Sequence, residues 1–194
     1  MVVRVLKSCV EVLSRRGKLF AAMNMLYFAS IFVVVLLAQF LFQPMLYEIT
    51  FVEVPEVLVG VDWPLMLVGI FLFNLALSGF LVVTLPGLVF FPLSAATLAY
   101  RASLWGLLLS QLPTPLLLAV LPTLMLEGEA YVFAGVAGVV LGLSWLKPEW
   151  IYEPGVSRSE AFKRALRECG HLYIVVAIVL LAAAIVETAT IVSL

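Results

Sequence analysis

Charge is scarce in this sequence. Charged residues make up 12% of the 194, hydrophobic residues 64%, and the mean hydropathy is +1.19; a soluble domain carries about a quarter charged and roughly half apolar residues. So sparse a polar complement cannot cover a water-exposed surface, and the composition predicts a polytopic membrane protein. Histidine occurs once, at His171, so there is no HExxH metal-binding helix and no Ser–His dyad beside the intramembrane carboxylates. The phosphate loop GxxxxGKS/T is missing too, because Gly17-Lys18 has neither the upstream glycine nor a following Ser or Thr. Cys9 and Cys169 are too few for a disulfide framework, and both lie beside basic clusters. A net charge of -1 leaves no footprint for nucleic acid. No catalytic residue, cofactor or metal ligand is assigned, and an enzyme is not expected.

Basic residues are distributed unevenly. Between Lys18 and Lys147 the only one is Arg101; the others fall in two clusters, at 4–18 and 147–167. Under the positive-inside rule both clusters face the cytoplasm, which puts the N-terminus inside the cell membrane and, after five spans, the C-terminus outside. Residues 2–16, VVRVLKSCVEVLSRR, carry apolar side chains at helical spacing with charges on the other faces, as an interfacial amphipathic helix would; a short solvated arm is the alternative. Spans are expected at about 19–42, 64–85, 88–110, 128–146 and 172–194. The first is followed by no small-residue cleavage site and is read as an anchor. Glu48, Glu53, Glu56 and Asp62, with no Lys or Arg among them, mark an external loop that packs on the protein. Pro86-Gly87 reads as a breaker at the inner face. Ser157 with Glu160 reads as a capping box that starts a cytoplasmic linker helix, 158–171, feeding the last span. The whole chain, 1–194, is one all-α transmembrane domain.

The stretch Pro122–Gly142 organises the rest, because it holds Glu127 and Glu129 inside a long apolar run. From Leu116 to Leu146 the chain is longer than the ~20 residues that cross a bilayer. A half-helix over about 116–126, re-entrant and returning at the Glu127-Gly128-Glu129 corner, would account for the excess. At ~1.5 Å per residue, Arg101 lies ~21 Å above Pro86-Gly87 and Glu187 ~24 Å above His171. Arg101, Glu127, Glu129 and Glu187 therefore reach one outer stratum. Arg101 is expected to neutralise at least one carboxylate, with Thr123, Thr188 and Thr190 as hydroxyl partners; the alternative is carboxylates fringing the outer water, with Arg101 a structural counterion. Asn74 reads as interhelical glue or as part of the pathway. Ala130, Ala134, Gly138 and Gly142 recur every fourth residue and permit close helix packing, against span three, span five or a second copy.

The run from Pro122 to Gly138, PTLMLEGEAYVFAGVAG, resembles the central signature of the stage II sporulation protein M family, approximately PHGxxExPAxxxAGxAG. Ala183-Ala184-Ile185-Val186-Glu187, followed by Thr190, is similar to that family's C-terminal AAxIExxxT, and Asn74 in LFNLALSGF to the Asn of its second span. Thr123 stands where the family has His, Leu124 where it has Gly, and Glu129 where it has Pro. The resemblance implies a polytopic membrane protein, in spore formers part of the machinery at the engulfing septum. It also implies a distant likeness to the permease subunits of ABC-2 type exporters.

The expected function is a pore or transport subunit in the lipid bilayer, a homodimer, with an acidic outer-leaflet site for a cation or proton. A separate ATPase docking on residues 149–168 is a variant of that reading. A membrane scaffold that assembles partner proteins, its intramembrane charges structural, is the rival.

Overall fold

Within a bilayer the backbone must satisfy its own polar groups, and a helix does so inside one segment. The computed structural model describes residues 2–46 and 62–193, which are helical with no strand among the described residues. The loop carrying Glu48, Glu53 and Glu56 lies outside the described residues. In chain order the helices are α1 (Val2–Arg15), α2 (Gly17–Leu46), α3 (Trp63–Leu72), α4 (Leu85–Val89), α5 (Pro92–Leu109), α6 (Thr114–Leu146) and α7 (Arg158–Ser193). A π-helical stretch, Phe73–Thr84, joins α3 to α4, and one 3-10 turn, Pro148–Trp150, follows α6.

Among the described residues four segments are long and apolar enough to cross a membrane: Gly17–Leu41, Trp63–Val89, Thr114–Leu146 and Arg158–Ser193. The expected count was five. The remaining helix, α5, has 18 residues, carries Arg101 among Ser, Thr and Tyr, and packs on α2 and α6.

The half-helix and its corner are absent. α6 is one continuous helix of 33 residues, with Pro122 near its exposed beginning. Counting residues against bilayer thickness presumes lipid on every side, but from Ala130 to Ser144 every side chain of α6 is buried. α2, the π-helical stretch, α4, α5 and above all α7 surround it. Over that stretch protein rather than hydrocarbon is its solvent, whereas the first turns, Thr114 to Pro122, remain partly exposed.

The second span also runs past its expected end at 85, to Val89, and the chain turns at the extended residue Phe90, so that α5 begins at Pro92 rather than 88. Leu85 N–H bonds to the carbonyl of Phe80, five residues back. The ladder has shifted by one residue just before Pro86, whose ring would otherwise crowd the carbonyl four residues earlier. The π-helical stretch buries Asn74, Ser78, Gly79, Val83 and Thr84; a spacing of four to five suits this wider winding.

The small-residue stripe of α6 is used within the chain. A Cβ on Gly138 would meet the Thr84 carbonyl oxygen at 2.7 Å, and one on Gly87 the Gly138 carbonyl carbon at 2.7 Å. The two backbones touch, and the Thr84 hydroxyl donates to the Ala134 carbonyl at 2.8 Å. The partners are the second span, which the sequence alone did not suggest, and Phe91 and Ser94 of the expected third span, which was one of the alternatives.

At the other end of α6 the basic clusters come together. α1 buries Cys9 and Val12 and packs against α7, where the Cys9 thiol donates to the His171 carbonyl at 3.3 Å. α7 is a single rod from Arg158 to Ser193. Its first turn keeps half of the expected capping box: Glu160 N–H donates to the Ser157 hydroxyl at 3.3 Å, while the Glu160 carboxylate pairs with Arg164 at 2.6 Å.

Candidate functional site

Glu127 sits on the face of α6 that meets both the π-helical stretch and α7. It is 3% exposed. A carboxylate so placed needs hydrogen-bond donors, and the nearest come from residues one helical turn apart in sequence. Asn74 Nδ2 donates to Glu127 Oε1 at 2.5 Å, and the Tyr131 hydroxyl lies 2.9 Å from Asn74 Oδ1 and 3.5 Å from Glu127 Oε2. Ser78 Oγ stands 3.5 Å from Asn74 Oδ1. Tyr131 follows Glu127 by four residues and Ser78 follows Asn74 by four, the spacing at which helical side chains meet. That spacing is the signal by which both could have been found in the sequence.

Glu187 of α7 adds a second carboxyl group to the cleft that Glu127 lines. Arg101 reaches the same place from α5, with its guanidinium carbon 4.3 Å from the centre of the Tyr131 ring. Asn74, Arg101, Glu127 and Glu187 line one cleft of about 650 Å³, whose other walls are apolar side chains of α3 and α5. Gly128 lets the Tyr27 ring close against α6 beside Glu127, since a Cβ there would lie 2.6 Å from Tyr27 Cε1.

Other expectations fail. Arg101 forms no ion pair within 4.0 Å among the described residues, and its Nε is buried without a hydrogen-bond partner. It stacks on Tyr131 instead of neutralising a carboxylate by contact. Glu129 is not part of the cluster: two residues beyond Glu127 it points to the far side of α6, half-buried and facing Asn24 of α2. The Thr123 and Thr188 hydroxyls are buried without partners, and Thr190 donates to its own helix at Val186. None of the three threonines serves the carboxylates. Among the described residues no group of three or more His, Cys, Asp or Glu side chains is placed to hold a metal ion.

A second buried charge site, unforeseen in the sequence, lies at the basic end. Arg16, between α1 and α2, is 7% exposed and grips Glu168 of α7 with two nitrogens, Nε to Oε2 at 2.9 Å and Nη2 to Oε1 at 3.1 Å. Its third nitrogen, Nη1, donates to the Ile151 carbonyl at 3.0 Å, and the Tyr152 ring lies 5.1 Å from its guanidinium carbon. Arg15 adds a longer contact to Glu168 at 3.5 Å. Burial, reinforced by the neighbouring Glu168 charge, pushes the Tyr152 phenol from 10.0 up to about 12. The signal for Glu168 is its place in the stripe Ala161, Ala165, Glu168, Leu172 and Val176, all buried on α7.

The family model described as Stage II sporulation protein M matches residues 19–190, from the first turn of α2 to the last turns of α7. No curated protein and no solved structure matches the chain.

Proposed function

From the premise that this chain belongs to the stage II sporulation protein M family and is an integral membrane protein, we propose that it is a pore or transport subunit in which Glu127 and Glu187 take up and release a proton. The observation that carries this reading is that Glu127 of α6 and Glu187 of α7 line one cleft with Arg101 among membrane-spanning helices. Ionisable side chains are costly inside a membrane, and groups that line a cavity there serve ion and proton pathways. Arg101 in the same cleft favours a proton over a metal cation, because it already supplies positive charge beside the pair. Tyr131 and Asn74 hold Glu127 in place on one side and leave Glu187 Oε2 free of protein partners. In this proposal α5 crosses as well, giving five crossings, and the basic clusters lie in the cytoplasm with the C-terminus outside, in keeping with the positive-inside rule. The chain carries no phosphate loop and is not an enzyme. A second copy, another membrane protein or a separate ATPase on residues 149–168 would complete the machine.

The test is proton flux into acid-pulsed proteoliposomes. Flux through the wild-type protein should fall at least ~tenfold in Glu127→Gln and in Glu187→Gln, the scale of losing a positioned proton carrier; wild-type flux in both folded variants would sink the carboxylate mechanism. A second reading, a scaffold with structural charges, is favoured by one observation: Asn74 and Glu127 tie the second span to α6. It predicts no flux in the wild type and loss of copurifying partners when the tie is cut.

A further inference from the structure

The cleft has two characters. Its inner wall holds Arg101, Glu127, Glu187 and Asn74, and its mouth is made of Leu65, Phe73, Leu104 and Leu108. All four mouth residues are exposed, on helices that lie among membrane spans. Side chains of that kind on such helices face acyl chains, so the bilayer itself reaches the cleft first. Two side chains of opposite kind line it without a hydrogen-bond or ion-pair partner among the described residues: the Arg101 guanidinium, a donor, and the Glu187 carboxyl group, an acceptor. Leaving both unmade is expensive in an apolar medium. A molecule that settles both must present an acceptor to the guanidinium and a donor to the carboxylate, with an apolar body along the mouth.

We propose that the cleft binds a phosphate ester bearing a primary amine, carried on an acyl-chain lipid: the phosphate on Arg101, the ammonium on Glu187, the glycerol and upper chains against Leu104 and Phe73. Arg101 is suited to the phosphate by its planar fork of donors. With the phosphate offsetting the charge of Arg101, Glu187 is left to accept one ammonium. A purely anionic head would leave the carboxyl groups unmatched, and a quaternary ammonium could not donate to them. The inference rests on the preceding reading only in taking this cleft as the working site, and binding is measured without flux.

The experiment is titration of the delipidated, detergent-solubilised full chain with short-chain phosphatidylethanolamine, its mono- and dimethyl derivatives, phosphatidylcholine and phosphatidylglycerol, followed by native mass spectrometry. Affinity should fall stepwise with methylation. The amine lipid should bind at least ~tenfold more tightly than phosphatidylcholine or phosphatidylglycerol, the scale of one charge-assisted hydrogen bond. Arg101→Gln and Glu187→Gln should each remove that preference, and Arg101→Lys should keep part of it. Soluble phosphoethanolamine is the arm that separates the two sources of this head: competition at similar concentration would assign the site to the free ester and overturn the lipid. Equal binding of all headgroups, or an unchanged preference in Arg101→Gln, would overturn the proposal altogether. A Glu127→Gln variant that loses flux but keeps the preference upholds both readings; wild-type flux with the preference intact overturns only the proton mechanism.

Discussion

The two buried charge sites of this protein are built to opposite standards. At the basic end, Arg16 and Glu168 satisfy each other through a two-nitrogen grip, and the remaining nitrogen finds a backbone carbonyl. In the cleft, Arg101 stands beside two carboxyl groups with no ion pair within 4.0 Å among the described residues, while Arg101 Nε and Glu187 Oε2 have no hydrogen-bond partner. The same chain can evidently close a buried pair when only architecture is at stake. It leaves open the site that faces a cavity. Incomplete pairing is tolerated where something else can enter, and that contrast underlies the functional reading.

The largest effect that tests the contrast belongs to the closed pair. Glu168→Ala should strand Arg16 and destabilise the protein by ~3 to 5 kcal/mol in detergent unfolding, whereas Arg16→Met combined with Glu168→Leu should recover much of it. A loss under about 1 kcal/mol in the single variant would mean that water reaches the pair and the contrast is false. Arg101→Gln, by comparison, breaks no ion pair. It should cost about 1 to 2 kcal/mol, the worth of a partly desolvated cation–π contact, and a cost as large as that of Glu168→Ala would show Arg101 to be the counterion that sequence reasoning expected.

The smallest effect is alkaline. The folded Tyr152 phenol is raised from 10.0 to about 12, so its contribution is fully present below pH 10 and lost as pH rises towards 12. Two full pKa steps would be worth about 2.7 kcal/mol; Tyr152 is partly exposed, so roughly 1 kcal/mol is expected after solvent screening. Tyr152→Phe should flatten the stability profile above pH 10. An unchanged profile would remove Tyr152 from the account of the closed site.

Much of the open site was legible because distance along a helix is fixed by residue number. Counting rise per residue from the basic ends set Arg101, Glu127 and Glu187 at similar heights, and the structure brings those three with Asn74 to one cleft. The same counting erred on α6, since helix length is bounded by lipid only where lipid touches the helix. Glu129 was drawn into the cluster by proximity in sequence, although two helical residues point to nearly opposite sides. Arg16 and Glu168 are 152 residues apart, and no local pattern announces such a meeting. Glu168 does occupy a buried position in an otherwise apolar stripe, which is a legible request for a partner. The close approach of Gly87 to Gly138 depends on winding that the sequence gives no rule to foresee.

That winding has a mechanical consequence. Asn74 near one end of the π-helical stretch holds Glu127, and Thr84 at the other end holds the Ala134 carbonyl beside the Gly87–Gly138 contact. Both anchors are fixed to the same rigid rod, α6. Tightening the stretch by one hydrogen-bond step, from five residues back to four, would lengthen it and rotate one anchor relative to the other. Asn74 and Thr84 could not then both keep their places, so the winding fixes the register of the second span against α6.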